Sequence, residues 1–190
     1  MGSSATRDKI VEIGDDLLQR RGFNAFSYQD IADQLGIRKA SVHYHFTNKS
    51  DLGTALAERN ANWALQTLQH IDTLQLTSWQ QLDAFLEPFI ERIRTCERMS
   101  PGAMLASELE TLPQTVQERN FEYYLILHTW LTRVLSMGRN SGEMYYATDP
   151  GIKADGIIAT LEGAAVLAKT RKNTDFLDPL ITDLKAGLGA

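Results

Sequence analysis

Apolar residues recur every three or four positions along most of this chain, which is the spacing of amphipathic helices. The first such segment covers residues 7–21, and Gly22 follows it where a left-handed residue commonly ends a helix. No pair of segments alternates with the two-residue period of β-strands, and the sequence has no internal repeat. The pattern predicts an all-α fold of about nine helices.

Two short helices separated by a glycine follow this first segment. Ser27 is a good N-cap for the second helix, and Asp30 adds negative charge to its first turn. Gly36 ends that helix, and a third short helix is expected from about Arg38 to His45. Two short helices joined by a tight glycine turn predict a helix-turn-helix. It completes a three-helix N-terminal domain over residues 1–50.

The remaining chain, residues 51–190, has the pattern of a larger helical bundle. Ser78 is the expected cap of one of its helices, and Pro88 within the same helix predicts a kink or a break. Pro113 stands at the first turn of a long helix. The helices expected in this bundle cover residues 53–71, 79–98, 103–112, 113–139, 152–172 and 176–188.

Composition is that of a globular protein with one large domain or two small ones. The chain has 190 residues, of which 43% are hydrophobic and 23% charged, and no apolar run is long enough to span a bilayer. No apolar signal core follows Met1, and Cys96 is the only cysteine. Neither secretion nor a disulfide framework is indicated. We therefore expect a cytoplasmic protein without a membrane partner.

The predicted third helix lies in a locally positive part of an acidic chain. The formal net charge is −5, yet residues 1–50 hold seven Lys and Arg against six Asp and Glu, whereas residues 51–190 hold twelve against eighteen. No carboxylate lies between Asp33 and Asp51. A DNA-binding surface is the hypothesis that the helix-turn-helix favours, and an ordinary solvated face is the alternative. The outer face of the helix offers donors to phosphates and base edges: Arg38, Lys39, Ser41, His43, Tyr44 and His45.

The histidines do not predict a metal site. His43 and His45 are two residues apart, so on a helix they point about 200° away from each other and cannot share one ion. The other two histidines are scattered, and the sequence has no glycine-rich phosphate loop. We expect no metal and no cofactor. A helical-bundle enzyme, the alternative from another class, has no visible catalytic set.

The stretch FSYQDIADQLGIRKASVHYHFTNKSDLGTAL resembles the N-terminal DNA-binding domain of the TetR family of bacterial transcriptional repressors. That family shows a hydroxyl N-cap, a second helix with the pattern IA…LG(I/V), and a recognition helix with the pattern S/T-L/V-Y-x-H-F. The resemblance covers residues of about 7 to 60.

The resemblance implies a role for each matching residue. Ser27 caps a helix end that meets a phosphate, and Gln29 contacts a base or the backbone. Lys49 contacts a phosphate at a helix N-terminus, where its ammonium and the helix dipole add. His43 stands where the family usually has tyrosine, so that phosphate contact is exchanged or passed to Tyr44. The residues expected to bind DNA are Ser27, Gln29, Arg38, Lys39, Ala40, Ser41, His43, Tyr44, His45 and Lys49.

The resemblance also implies a homodimer formed through the last two long helices, 152–172 and 176–188. A dimer presents two recognition helices to a palindromic operator. The helix over 152–172 has a face of small residues that lets a partner helix approach closely, although packing inside its own bundle is the alternative. The residues expected in the dimer interface are Ile157, Leu161, Gly163, Ala164, Ala165 and Ala168.

A small-molecule effector is expected in the bundle, on the same resemblance. Aromatic residues with polar-tipped neighbours suit such a cavity, although each of them alone fits an ordinary core role. Cys96 is either a thiol sensor or an inert buried cysteine. Glu108 and Glu110 are either ligand partners or a solvated helix end. The residues expected to bind the effector are Phe85, Phe89, Cys96, Met104, Tyr123, Leu127 and Trp130.

These expectations combine into a ligand-responsive, sequence-specific regulator of transcription that leaves its operator when the effector binds. The ligand displaces the short helix before Pro113, the motion reaches the fourth helix, and the two recognition helices no longer fit successive major grooves. A transcriptional activator and a regulator without a ligand are alternatives that the sequence does not separate from a repressor.

Overall fold

The computed structural model describes residues 3–189, and the side chains of residues 4–189. Within this range the chain is helical, with nine α-helices, one 3₁₀ turn and no strand, so the predicted all-α fold is confirmed. The α-helices are α1 Ser3–Arg21, α2 Tyr28–Leu35, α3 Lys39–His45, α4 Lys49–Thr73, α5 Ser78–Arg94, α6 Pro101–Ser107, α7 Gln114–Asn140, α8 Pro150–Arg171 and α9 Leu177–Ala186, and the 3₁₀ turn is Leu109–Thr111. None of these helices is both long and apolar enough to cross a membrane.

The start and end of α2 follow from its sequence. The Asp30 backbone N–H donates to the Ser27 hydroxyl oxygen (3.4 Å), and the Ser27 backbone N–H donates to the Asp30 carboxylate (2.8 Å). This reciprocal capping box satisfies two N–H groups that a helix start leaves without partners. Gly36 ends the helix with φ +66°, a backbone conformation that glycine adopts without strain.

Several predicted helix bounds differ from the structure. Thr77, not Ser78, caps α5, because the Thr77 hydroxyl accepts from the Gln80 backbone N–H and the Gln80 side chain accepts in return. The helix continues through Pro88 and stops at Arg94, because Cys96 takes a left-handed conformation with φ +55°. The expected helix over 103–112 is two pieces, α6 and the 3₁₀ turn.

The described chain forms two compact units. The first contains the chain up to Asn62 together with Pro101–Tyr123. Its core joins the helix-turn-helix to residues much later in sequence. The buried side chains of this core include Ile10, Leu17, Leu18, Phe23, Ile31, Phe46, Leu52, Leu56, Leu105 and Val116. The assignment of DNA binding to residues 1–50, and of ligand binding and dimerisation to residues 51–190, stays a prediction.

The second unit contains Trp63–Ser100 and the chain from Tyr124 onward. Helix α5 contacts α8, and the apolar faces of α5, α7 and α8 supply most of the core. The fully buried side chains of this unit include Leu82, Phe85, Leu86, Leu127, Leu131, Leu135, Ala154 and Ala168.

Candidate nucleic-acid interface and bundle pocket

Helix α3 turns one face to solvent because its opposite face is anchored in the core. Val42 is fully buried, and the Ile37 backbone N–H donates to the Ala32 carbonyl (3.0 Å), which fixes the turn between α2 and α3. Tyr44 is 80% exposed. Of the other predicted DNA-binding residues on this face, Arg38, Lys39, Ala40 and His43 are exposed, and Ser41 and His45 are half-buried.

The cations on this face are not neutralised within the chain. Neither Arg38 nor Lys39 makes an ion pair with any residue that the structure describes. Both residues are exposed at the start of α3, and the nearest carboxylates in sequence are Asp33 and Asp51. Exposed cations without partners at the start of a recognition helix are suited to bind phosphate oxygens.

The His43 ring is held by a tyrosine behind it. The rings of Tyr28 and His43 meet edge to face with centroids 4.7 Å apart. Burial, with a smaller effect of the Asp51 charge, raises the pKa of Tyr28 to about 12, so this phenol is neutral at pH 7. Its buried hydroxyl has no hydrogen-bond partner among the described residues. Tyr28 therefore acts as an apolar support that fixes the orientation of His43.

Ser27 and Gln29 are both exposed, and both already make hydrogen bonds. The Ser27 hydroxyl donates to the Asp30 carboxylate (2.6 Å), and the Gln29 amide donates to Asp33 (2.6 Å). The hydrogen bonds from Ser27, with the Arg21 charge adding to them, hold the pKa of Asp30 below its usual range. The start of α2 thus carries its own anion, and the DNA contacts expected for Ser27 and Gln29 stay predictions.

Lys49 points into the first unit rather than away from it. Its ammonium donates to the Phe26 carbonyl and lies 4.8 Å from the centre of the Phe23 ring and 4.6 Å from that of Phe26. Partial burial lowers the pKa of Lys49, against the charges of Glu108 and Asp30. The two phenylalanines before α2 were the sequence signal for this arrangement. The phosphate contact of Lys49 stays a prediction, but the ammonium already has partners within the chain.

Glu108 binds the loop that precedes α2, a contact that the sequence does not predict. Its carboxylate accepts from the Asn24 backbone N–H (2.9 Å), and the Asn24 side chain donates to the Thr111 hydroxyl (2.8 Å). Both contacts lie within the first unit. They tie α6 and the 3₁₀ turn to the helix-turn-helix, so Glu108 is neither free for a ligand nor a solvated helix end.

Three of the predicted effector residues lie around one small space in the second unit. Phe85, Phe89 and Leu127 line it together with Trp63, and the free volume is about 10 Å³, room for at most one water molecule. Trp130 stacks on Phe85 with ring centroids 5.7 Å apart. Cys96 is half-buried beyond the end of α5 and does not line the space. Met104 and Tyr123 belong to the first unit.

Two charged residues of the second unit were missed as candidates. The Arg92 guanidinium lies over the rings of Trp63 and Phe89. The Glu162 carboxylate accepts from the Ser100 hydroxyl (2.6 Å) and the Tyr124 hydroxyl (3.2 Å). Burial raises the pKa of Glu162, and these hydrogen bonds and the Arg92 charge oppose that effect. The sequence signal was a charged residue on an otherwise apolar helix face.

The predicted dimer residues divide between the inside and the outside of the second unit. Gly163 is exposed and has open space around it. Five others, Ile157, Leu161, Ala164, Ala165 and Ala168, are buried within their own chain. The exposed apolar side of α8 instead carries Ile152, Val166 and Leu167. A groove of about 370 Å³ lies between α8 and α9, lined by residues that include Ile152, Gly156, Thr160, Leu180 and Leu184.

The chain is similar to known proteins at two levels: a family profile matches the helix-turn-helix region, and single proteins match nearly the whole chain. The sequence profile described as "Bacterial regulatory proteins, tetR family" matches residues 10–56. Over 188 residues, the chain is 24% identical to the HTH-type transcriptional repressor DhaR of Mycobacterium sp. (strain GP1), covering 96% of this chain and 91% of that protein.

Solved structures show the same arrangement of helices. A transcriptional regulator of the TetR family from Agrobacterium tumefaciens superposes with a TM-score of 0.91 at 28% identity, over 97% of this chain and 98% of that one. A regulator from Saccharomonospora viridis, solved in complex with choline, superposes with a TM-score of 0.78 at 22% identity, over 96% of this chain and 95% of that one.

Proposed function

We propose that this chain, which belongs to the TetR family of bacterial transcriptional regulators, is a repressor that releases a palindromic operator when a small molecule binds its helical bundle. Like its relatives, the chain is a DNA-binding regulator and not an enzyme. The observation that carries the proposal is the exposed face of α3, where Arg38 and Lys39 have no ion-pair partner among the described residues. We place the protein in the cytoplasm, where the bacterial chromosome is.

In the proposed complex α3 enters the major groove. Arg38 and Lys39 bind phosphates and set the register of the helix on the duplex. Ser41, His43 and Tyr44 then reach base edges, and Tyr28 limits the orientations that the His43 ring can take. Ala40 allows the helix to approach closely because it has almost no side chain. Lys49 supports the fold of this surface through Phe23 and Phe26.

The operator is palindromic in this proposal because the regulator is a homodimer. The exposed apolar side of α8 and the groove between α8 and α9 form a surface suited to a second copy of the chain. Gly163 lies on this side, so a partner helix meets no side chain there. Two copies related by a twofold axis present two α3 helices to two half-sites of the same sequence.

The effector acts through the short segment between α5 and α7. Helix α6 contributes Leu105 to the core of the first unit, and Glu108, which follows α6, binds the loop at Asn24. A ligand that displaces α6 therefore strains the support of the helix-turn-helix directly. The regulator from Saccharomonospora viridis was solved with a small molecule, choline, and this supports a small-molecule ligand for the fold.

The test is fluorescence anisotropy of labelled duplexes tiled from the DNA upstream of the gene, at two salt concentrations. We expect saturable binding to one duplex that weakens as salt rises, because phosphate contacts release counterions. Lys39→Met weakens binding to that duplex, whereas Lys172→Asn, which removes an exposed cation of the second unit, leaves it unchanged. The proposal is contradicted if the protein binds every tiled duplex no more tightly than random duplexes, and if Lys39→Met and Lys172→Asn change that binding equally.

A further inference from the structure

We propose that Arg92 recognises the effector, and that the effector is a small monocarboxylate with an apolar body. This inference rests on the proposed function, since it names the chemical class of the ligand that the bundle takes. The residues that carry the inference all belong to the second unit: Trp63, Phe85, Phe89, Arg92, Ser100, Tyr124, Leu127 and Glu162.

Arg92 has a charged hydrogen-bond donor without an acceptor. Its guanidinium lies 5.5 Å from the centre of the Trp63 ring and 5.7 Å from that of Phe89. Contact with a ring face stabilises the cation but satisfies none of its N–H groups, which point outward in the guanidinium plane. The Nη1 atom is buried and has no hydrogen-bond partner among the described residues. A buried donor of this kind is costly unless an acceptor is provided.

The nearby carboxylate does not provide that acceptor. Glu162 is close enough for its ionisation to respond to the Arg92 charge, but the two residues form no ion pair in the part of the chain described. The Glu162 carboxylate instead accepts from the hydroxyls of Ser100 and Tyr124. No described residue is that acceptor, and the inference assigns this role to the ligand. A planar guanidinium fork matches a carboxylate, as it matches a phosphate, because two parallel hydrogen bonds can form. The apolar rings beside Arg92 suit the singly charged carboxylate of an apolar acid.

The surroundings of Arg92 define the rest of the ligand. The two rings that carry its guanidinium, Trp63 and Phe89, also line the small apolar space with Phe85 and Leu127. That space is about 10 Å³, so a ligand body enters only if one of these rings moves. Such a movement also frees the guanidinium from that ring. Binding of the carboxylate to Arg92 and opening of the apolar space therefore occur together. The ligand thus binds one conformation of the bundle better than the other, and this difference shifts the equilibrium.

The first experiment compares charge at constant shape. The full-length wild-type protein is titrated with butanoate, hexanoate, octanoate and benzoate, and with the primary amide of each acid. Binding is followed by thermal shift and by tryptophan fluorescence, to which Trp63 contributes. We expect at least one acid to bind, and to bind about tenfold or more tightly than its amide, because only the acid pairs with the cation. Equal binding of acid and amide overturns the inference.

The second experiment assigns the effect to one arginine. Arg92→Met keeps the apolar stem and removes the charge, and it should remove the preference for acid over amide. Arg92→Lys keeps the charge without the fork, and it should retain part of the preference. Arg94→Met is the matched control two residues away on α5, where an exposed arginine pairs with Asp178 (2.9 Å), and it should bind like the wild type. A preference that survives in a folded Arg92→Met protein overturns the inference.

The outcomes separate this inference from the proposed function. If the protein binds its operator but none of the four acids, the inference is wrong and the function stands. If an acid binds through Arg92 but no duplex is bound, the carboxylate site stands and the proposed function is wrong. If Arg92→Met does not fold, as judged by circular dichroism, the acid and amide pairs on the wild type and on Arg92→Lys decide the question.

Discussion

Replacing Lys49 by methionine should lower the stability of the fold. It should leave the salt dependence of DNA binding almost unchanged. The ammonium donates to the Phe26 carbonyl and lies over the Phe23 and Phe26 rings, so its main partners belong to the first unit. Methionine keeps the apolar length of the side chain and removes the charge. The substitution therefore separates a structural role from the phosphate contact that the family resemblance implies for Lys49.

The magnitude follows from the contacts that are lost. A hydrogen bond from a charged group contributes about 1.5–3 kcal/mol and a partly exposed cation–π contact about 0.5–1 kcal/mol. Burying the ammonium opposes these gains, as the lowered pKa of Lys49 shows. A net loss of about 1–2 kcal/mol is expected. For a chain of this size that lowers the melting temperature by roughly 3–6 °C.

Lys39→Met is the matched control, because Lys39 is exposed on α3 and has no ion-pair partner among the described residues. It should leave the melting temperature unchanged. It should also reduce the slope of log affinity against log salt concentration by about 0.9 for each subunit. Calorimetry and anisotropy titrations at four salt concentrations measure both quantities for both variants. The reasoning is refuted if Lys49→Met melts with the wild type and reduces the salt slope as much as Lys39→Met does.

Three further substitutions test other parts of the structure. The pKa of Tyr28 is about 12 in the folded protein and about 10 in an unfolded chain. Between pH 10 and 12 the phenol therefore ionises in the unfolded chain but not in the folded one, and this ionisation lowers the free energy of unfolding. Tyr28→Phe should therefore lose less stability than the wild type between pH 10 and 12, measured by urea unfolding, and an unchanged pH profile would contradict the assignment. Glu108→Ala should lower the free energy of unfolding by about 1 kcal/mol through loss of the Asn24 contact, whereas the exposed Glu110→Ala should not. Val166→Glu should convert the proposed dimer into monomers in sedimentation velocity, with the equally exposed Leu125→Glu as the control. A Val166→Glu protein that is still a dimer would contradict an interface on this side of α8.

Features set by neighbouring residues could be predicted from the sequence. Ser27 and Asp30 are three positions apart, and a cap needs nothing else. Gly36 ends α2 for an equally local reason. The helix-turn-helix and the all-α class follow from such signals repeated along the chain.

Features that join distant segments could not be predicted in the same way. The sequence separation between Asn24 and Glu108 is 84 residues, and nothing near either of them indicates the other. The aromatic partners of Arg92 lie on two different helices. For α8, the sequence showed small residues but not which side of the helix faces its own bundle. Five of the six residues expected at the interface are therefore buried inside the chain.

The core of the first unit is completed by residues that are synthesised late. Leu105, Leu112 and Val116 are buried with the side chains of α1 to α4, although the chain first passes through α5, which belongs to the other unit. A ribosome must therefore release more than half of the chain before the helix-turn-helix has its full apolar support. A fragment that ends at Asn62 lacks these three side chains, each of which contributes about 1.5–3 kcal/mol when buried. We therefore expect the helix-turn-helix to be less stable in such a fragment than in the full chain.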